Sequence, residues 1–223
     1  MEKSITVSKV FIPALGYKWL SGFYDLVFKL MLPENKLRNN LIKELDLKDG
    51  ENILEFGYGT GQNLIFAYHK NKNIKLTGID IDPSIRQIAF CKLKKNNIPV
   101  SLDLYDGRTF PYSDNSFDKV FSSLVFHHLD TKSKIICLKE INRVLKPGGQ
   151  LVLGDWGKAK SKLMRFVYYS VQLLDGFKTT EDNVNGLIPG FIAKANFISV
   201  NETGYINTVI GTYSYYCAVK KSD

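Results

Sequence analysis

Apolar positions along the chain follow two alternating spacings, which predict a regular succession of strands and helices. Short, nearly continuous apolar runs of about five to seven residues are typical of strands buried on both faces of a parallel sheet. Between these runs, apolar residues recur every three or four positions, as on one face of a helix. Predicted strands cover 52–56, 74–80, 100–106, 118–123, 150–155, 197–202 and part of 208–219. Predicted helices cover 17–30, 34–46, 62–68, 83–95, 131–145, 163–177 and 185–195.

This succession predicts an α/β domain with helices on both faces of a mostly parallel sheet. Only the Thr203-Gly204 turn separates the last two predicted strands, which is too short for a parallel crossover. We therefore expect a seven-stranded sheet with one antiparallel edge strand. The domain is divided into an N-terminal helical cover (1–48), a core (50–155), an inserted segment (156–182) and a C-terminal helix with a strand pair (183–223).

The turn after the first strand is the strongest indication of a ligand site. Glu55 ends the strand, and Gly57, Gly59 and Gly61 follow at alternate positions. Glycine tolerates positive φ and has no Cβ, so a ligand can lie against main-chain N–H groups at a helix start. The dinucleotide fingerprint would place its third glycine at Gln62, and a carboxylate before the turn repels phosphate. A cationic ligand is favoured, and a turn that only packs the helix on the strand is the alternative.

Polar residues also end the second and fourth strands. Asp80 can accept hydrogen bonds from both hydroxyl groups of a ribose. His127 and His128 follow the fourth strand, and a histidine near neutral pKa can take a proton from a hydroxyl or amine. Adjacent side chains point in different directions, so at most one histidine would face a substrate. Both could instead orient the loop.

The glycine turn, the acidic strand ends and the Leu-Lys-Pro-Gly-Gly phrase at 145–149 resemble the class I S-adenosylmethionine-dependent methyltransferases. The resemblance runs from about 50 to 155 and is similar to the ubiquinone/menaquinone-biosynthesis branch. It implies S-adenosylmethionine as cofactor, with Asp106 at the adenine amino group and the Ser122 backbone near the methionine end. The implied cofactor-binding residues are Glu55, Gly57, Tyr58, Gly59, Gly61, Asp80, Ile81, Asp106, Gly107, Ser122 and, in the N-terminal cover, Tyr24.

Residues 156–182 depart from the nucleotide-binding pattern and lie where the resemblance implies a substrate lid. Aromatic and aliphatic residues dominate the predicted helix, and four basic residues lie at or near its start: Lys158, Lys160, Lys162 and Arg165. An apolar lid implies a hydrophobic acceptor such as a quinone, polyketide, sterol or lipid, methylated at oxygen, carbon or nitrogen. The basic flank would also suit an anionic membrane surface. A helix packed in an enlarged core, or a homodimer contact, explains the same pattern.

The composition of the chain bears on its location and on the partners it can bind. Hydrophobic residues make up 44% of the chain, but no apolar run approaches the roughly 20 residues of a membrane span. The first residues lack a signal pattern, which predicts a cytoplasmic protein. Three widely spaced cysteines predict neither disulfides nor a metal site. The net charge of +8 permits nucleic acid binding. No basic module accompanies it, so nucleic acid is not the expected partner. An RNA methyltransferase and a non-catalytic cofactor-binding partner are the alternative functions.

Overall fold

The computed structural model describes residues 32–222, which build a seven-stranded sheet with helices on both faces. The predicted helix 17–30 and Tyr24 lie outside the described residues. The strands are β1 Asn52–Phe56, β2 Lys75–Asp80, β3 Val100–Leu104, β4 Phe117–Ser123, β5 Leu145–Trp156, β6 Phe197–Asn207 and β7 Thr212–Lys220. The helices are α1 Glu34–Glu44, α2 Gln62–Lys70, α3 Pro83–Lys95, α4 Thr131–Val144, α5 Lys162–Asp175, α6 Phe177–Val184 and α7 Ile188–Lys194, with a short 3-10 helix at Phe126–His128.

The strand order is β3-β2-β1-β4-β5-β7-β6. Strands β1 to β5 run parallel, whereas β7 is antiparallel to both β5 and β6. The prediction of a mostly parallel seven-stranded sheet with antiparallel pairing at one edge is confirmed, and β6 is the outermost strand there. Strand β1 lies between β2 and β4, where the strand order reverses. In open α/β sheets such a point forms a crevice at the carboxyl ends of the strands.

The predicted turn at Thr203-Gly204 is wrong. Strand β6 continues through these residues, and its register against β7 shifts between Glu202 and Gly204. A glycine inside a strand commonly marks such a bulge. The chain reverses instead at Thr208–Gly211, where the Thr208 N–H donates to the Gly211 carbonyl at 2.8 Å. The Thr208 hydroxyl also donates to that carbonyl, so this side chain closes the turn.

The apolar segment after β5 also differs from its prediction as one helix. Gly176 has a φ of +92° and separates α5 from α6, so Phe177 begins a second helix. The preceding strand starts earlier than predicted, because Leu145 already pairs with Phe117 and the Pro-Gly-Gly residues continue as extended chain.

Apolar layers on the two faces of the sheet hold the helices in place. On one face, Leu41 of α1, Leu64 of α2 and Leu93 of α3 belong to the same buried cluster. On the other, Leu138 of α4 and Ile192 of α7 pack in a second cluster. This leaves the carboxyl ends of the central strands as the place where polar side chains meet. No helix within residues 32–222 is long and apolar enough to cross a membrane.

Candidate active site

The glycine turn after β1 lies at the crevice between β2 and β4. Gly57, Gly59 and Gly61 have φ values of +73°, +49° and +74°, a region that side chains other than glycine rarely adopt. A Cβ at Gly57 would collide with the Val125 side chain, whereas a Cβ at Gly59 would meet no atom within 4 Å. Gly57 is therefore required for packing, and Gly59 presents open backbone to a ligand.

Glu55 lies beneath this turn and is fully buried. Its Oε1 accepts a hydrogen bond from Asn63 Nδ2 at 2.7 Å, and its Oε2 is buried without a hydrogen-bond partner among the described residues. Burial raises the pKa of Glu55 to about 8. A buried carboxylate oxygen without a donor is costly unless a ligand supplies one. The residues present therefore fit a ligand with a cationic amino group.

Asn63 and Arg38 extend this arrangement and were not identified from the sequence. Asn63 is buried at the start of α2, and its Oδ1 accepts from Arg38 Nη1 at 2.6 Å. Arg38 Nη2 donates in turn to Glu34 at 3.0 Å, and Arg38 Nε is buried without a partner among residues 32–222. The sequence signal for Arg38 is its position four residues after Glu34, a spacing that is also typical of an ordinary ion pair on a helix surface.

The structure brings Asp80 directly onto the glycine turn. Asp80 Oδ2 accepts from the Gly59 N–H at 2.9 Å, while Oδ1 accepts from the N–H groups of Ile81 at 2.7 Å and Asp82 at 3.1 Å. Burial nevertheless raises the pKa of Asp80, against the effect of these three donors. Asp82 caps α3 by accepting from the Ser84 N–H at 2.8 Å, which is a purely local contact.

Gly107 and Ile81 face each other beyond the ends of β2 and β3. A Cβ at Gly107 would lie 3.2 Å from Ile81 Cδ1, and Gly107 has a φ of +84°. Asp106 is exposed, and its Oδ1 accepts from the N–H groups of Thr109 and Arg108, both at 2.8 Å, which lowers its pKa. These three predicted positions are therefore neighbours of the Asp80 strand end.

Two other predicted residues direct their side chains away from the crevice. Tyr58 is 2% exposed and packs against Gly78 and Leu102, so only its backbone can contact a ligand at the turn. Ser122 is fully buried, and its hydroxyl donates to the Phe56 carbonyl at 2.8 Å. That contact holds the end of β4 against the end of β1.

A buried histidine and aspartate lie at the ends of β4 and β5. His127 Nδ1 is 2.7 Å from Asp155 Oδ1, and the two side chains are 4% and 0% exposed. Asp155 also accepts from the backbone N–H groups of Phe126 at 2.7 Å, His127 at 3.3 Å and Trp156 at 2.7 Å. Burial alone would raise the pKa of Asp155, but His127 and the Trp156 N–H hold it below its ordinary value. Asp155 is therefore ionised, and its Oδ1 accepts a hydrogen bond from the Nδ1–H group of His127.

His128 lies beside His127, with a ring centroid distance of 3.8 Å. Burial, together with the neighbouring His127, lowers the pKa of His128 to about 3. The partnership with Asp155 was missed because nothing in the sequence links residues 28 positions apart. The available signal was an acid at the end of a parallel strand, the same signal that identified Asp80. Within residues 32–222, no group of three or more His, Cys, Asp or Glu side chains could hold a metal ion.

Fold and sequence comparisons agree on the class of protein. Residues 53–149 match the family model described as a methyltransferase domain. The matched residues, the β3-β2-β1-β4-β5-β7-β6 sheet, the glycine turn and Asp80 are similar to those of the class I S-adenosylmethionine-dependent methyltransferases. The protein is an enzyme, its cofactor is S-adenosylmethionine, and it belongs with methyltransferases of small molecules.

Individual relatives and solved structures are similar to most of the chain. It is 28% identical over 167 residues to an uncharacterized methyltransferase of Bacillus velezensis, covering 71% of this chain and 75% of the relative. It is 25% identical over 185 residues to the demethylmenaquinone methyltransferase of Thermotoga maritima, covering 82% and 76%. Among solved structures, the YcgJ protein of Bacillus subtilis has the same fold, with a TM-score of 0.69, 14% identity, and coverage of 85% and 100%.

Proposed function

We propose that this enzyme methylates a hydroxyl group of a hydrophobic small molecule, with His127 as the general base. The observation that carries the proposal is the 2.7 Å contact between His127 Nδ1 and Asp155 Oδ1. It lies at the carboxyl ends of β4 and β5, beside the strand that ends in the glycine turn. In class I sheets this edge faces the ligand crevice.

The cofactor would be held by residues of the crevice. Glu55 and Arg38 lie on the two sides of Asn63. A ligand ammonium beside Glu55 would favour the ionised form of this carboxyl, and Arg38 suits the carboxylate of the same amino acid. Asp80 would accept hydrogen bonds from the ribose hydroxyls, and Gly59 would allow close approach of the nucleoside, which is supported by their contact at the glycine turn. The adenine would lie beyond, between Ile81 and the Asp106-Gly107 turn. When bound, S-adenosylmethionine supplies a sulfonium methyl group, which is a strong electrophile.

The hydrogen bonds and pKa values at the histidine pair favour His127 over His128 as the general base. Ionised Asp155 can only accept, so Nδ1 of His127 must donate, and in the neutral ring Nε2 carries the lone pair. Nε2 would take the proton of the acceptor hydroxyl while the oxygen bonds to the methyl carbon and the carbon–sulfur bond breaks. A pKa of about 3 makes His128 a weak base, and we assign it to packing against His127.

The aromatic surroundings support an apolar acceptor. Trp156 lies 6.4 Å from His127 between ring centroids, and Tyr168 of α5 packs on Trp156 at 5.7 Å. Apolar walls exclude water and align the reactants. Alignment can lower the activation barrier by about 7 to 11 kcal/mol in favourable cases. The relative from Thermotoga maritima is named for demethylmenaquinone, which is also an apolar compound.

The test combines product identification with paired substitutions. Methyl-labelled cofactor is supplied to phenols, quinols and other apolar hydroxyl compounds, and the labelled product is identified. His127→Ala should lower kcat by about 10² to 10⁴, whereas His128→Ala should leave it within about threefold. Asp155→Asn, which favours the wrong tautomer, should lower kcat and change the pH profile while leaving cofactor affinity unchanged. Equal activity of His127→Ala and the wild type, or methyl label found only on carbon or nitrogen, would contradict the proposal.

A further inference from the structure

Helix α5 is apolar on two opposite sides, and only one of them is covered by the rest of residues 32–222. Tyr168 and Val171 point inward and are buried to 1% exposure each. Leu163, Phe166 and Leu173 lie on the opposite side and are 64%, 73% and 74% exposed. We call this second side the outer stripe of α5. A helix that is apolar all round is normally buried all round, so the outer stripe indicates a second apolar environment.

Two aromatic rings widen the outer stripe. Tyr169 is 44% exposed and Phe177, the first residue of α6, is 47% exposed, and their ring centroids are 6.4 Å apart. Arg165 lies over the Tyr169 ring at 4.3 Å, which keeps a guanidinium at the margin of the stripe. Aromatic rings with a cationic margin are typical of surfaces at a membrane–water boundary.

Charge distinguishes the partners that such a surface fits. From Gly157 to the end of α5 at Asp175 the sequence contains four basic residues and one acidic residue, which is Asp175 itself. Lys158, four residues before α5, and Lys162, the first residue of α5, are exposed, and Lys162 lies on the same side as the outer stripe. Lys160 contributes less because it pairs with Glu202 at 2.6 Å. An apolar stripe beside unopposed lysines is complementary to acyl chains and anionic headgroups.

We propose that the outer stripe of α5, with Lys158 and Lys162, docks the enzyme on an anionic lipid bilayer. The helix would lie in the plane of the interface, with Phe166 and Leu173 inserted and the lysines at the headgroups. The inner side of the same helix carries Tyr168 onto Trp156, beside the candidate base. The part of this inference that concerns the substrate rests on the proposed function: the enzyme would take its apolar acceptor from the bilayer.

Binding is measured with the full-length chain, without acceptor or cofactor, so the result is independent of the methyl-transfer proposal. The chain is sedimented with large vesicles of phosphatidylcholine, alone or with one-third phosphatidylglycerol. The wild type should bind the anionic vesicles, and binding should weaken as salt increases. Phe166→Glu should reduce the partition constant at least about tenfold, since a large inserted apolar side chain is lost. Lys162→Gln should reduce it about fivefold on anionic vesicles only, because one positive charge is lost.

The matched control is Phe90→Glu on α3, because Phe90 is 52% exposed but lies away from the outer stripe. It should bind vesicles as the wild type does. Three results would overturn the proposal: no vesicle binding by the wild type, equal loss in Phe90→Glu and Phe166→Glu, or a wild-type dimer in sedimentation equilibrium that Phe166→Glu converts to a monomer. The last would make the outer stripe a contact between two copies of the chain.

Discussion

Replacing Glu55 by Gln tests the carboxylate beneath the glycine turn without using any ligand. Glutamine has almost the same shape and keeps an oxygen to accept from Asn63 Nδ2, but it cannot ionise. In the folded protein burial raises the pKa of Glu55 to about 8, from an ordinary value of 4.5. The folded state therefore favours the protonated carboxyl. The raised pKa of Glu55 therefore contributes to the free energy of unfolding. This contribution is fully present below pH 4.5 and is lost as the pH rises towards 8.

The size of this effect follows from the two pKa values. One pKa unit corresponds to about 1.4 kcal/mol, so ionising Glu55 in the unfolded chain alone costs the fold about 5 kcal/mol once the pH exceeds 8. Between pH 5 and pH 8 the expected loss is about 3.5 kcal/mol. A domain of this kind is stable by only about 5 to 15 kcal/mol, so the loss is a large fraction of the total.

The assay is urea unfolding of the wild type and Glu55→Gln at pH 5 and pH 8. The free energy of unfolding of the variant, relative to that of the wild type, should increase by about 3.5 kcal/mol between the two pH values. Any packing cost of the glutamine cancels because it is present at both. Glu140→Gln is the control: Arg143 lowers the pKa of Glu140, so the same comparison should be flat across this range. Parallel pH dependence of the wild type and Glu55→Gln would refute the buried, largely protonated state.

Two further predictions concern the turn and its ribose acid. Asp80→Ala should weaken binding of S-adenosylhomocysteine by about 10- to 100-fold in calorimetry, because charge-assisted hydrogen bonds are lost. Asp82→Ala removes only the α3 cap and should cost about 1 kcal/mol of stability without changing affinity. Equal affinity of the wild type and Asp80→Ala would count against the ribose assignment. Gly57→Ala should destabilise more than Gly50→Ala in thermal unfolding. Both positions have positive φ, but only a Cβ at Gly57 collides with Val125.

The sequence predicted those parts of the site that depend on local pattern. Glu55 and Asp80 each end an apolar run, and the parallel pairing of β1 with β2 brings their ends to one edge. The Gly59 N–H to Asp80 contact is thus a consequence of strand order, which alternating strands and helices predict. The boundaries of α3 also follow from local chemistry, because Asp82 caps the helix and Pro83 fits its first turn.

Other parts depend on how distant segments meet, and no local pattern carries them. Asp155 joins His127 across 28 residues only because the loop after β4 folds back onto the end of β5. Arg38 contacts Asn63 because α1 packs against α2. The apolar stripe of each helix predicts that it packs, but not which residues of the two helices meet. The final turn was misplaced because Thr203-Gly204 is a typical turn pair, whereas the pairing of β6 with β7 accommodates it as a bulge.

The hydrogen bonds of Asp155 separate a fixed part of the candidate site from a part that is less constrained. One carboxylate accepts from three backbone N–H groups and contacts an imidazole, so it ties the loop after β4 to the end of β5. A substitution that reshapes this loop would release several buried donors at once. New acceptors are therefore expected to be accommodated by changes in α5 and α6, and descendants of this fold could change substrates by exchanging that insertion alone.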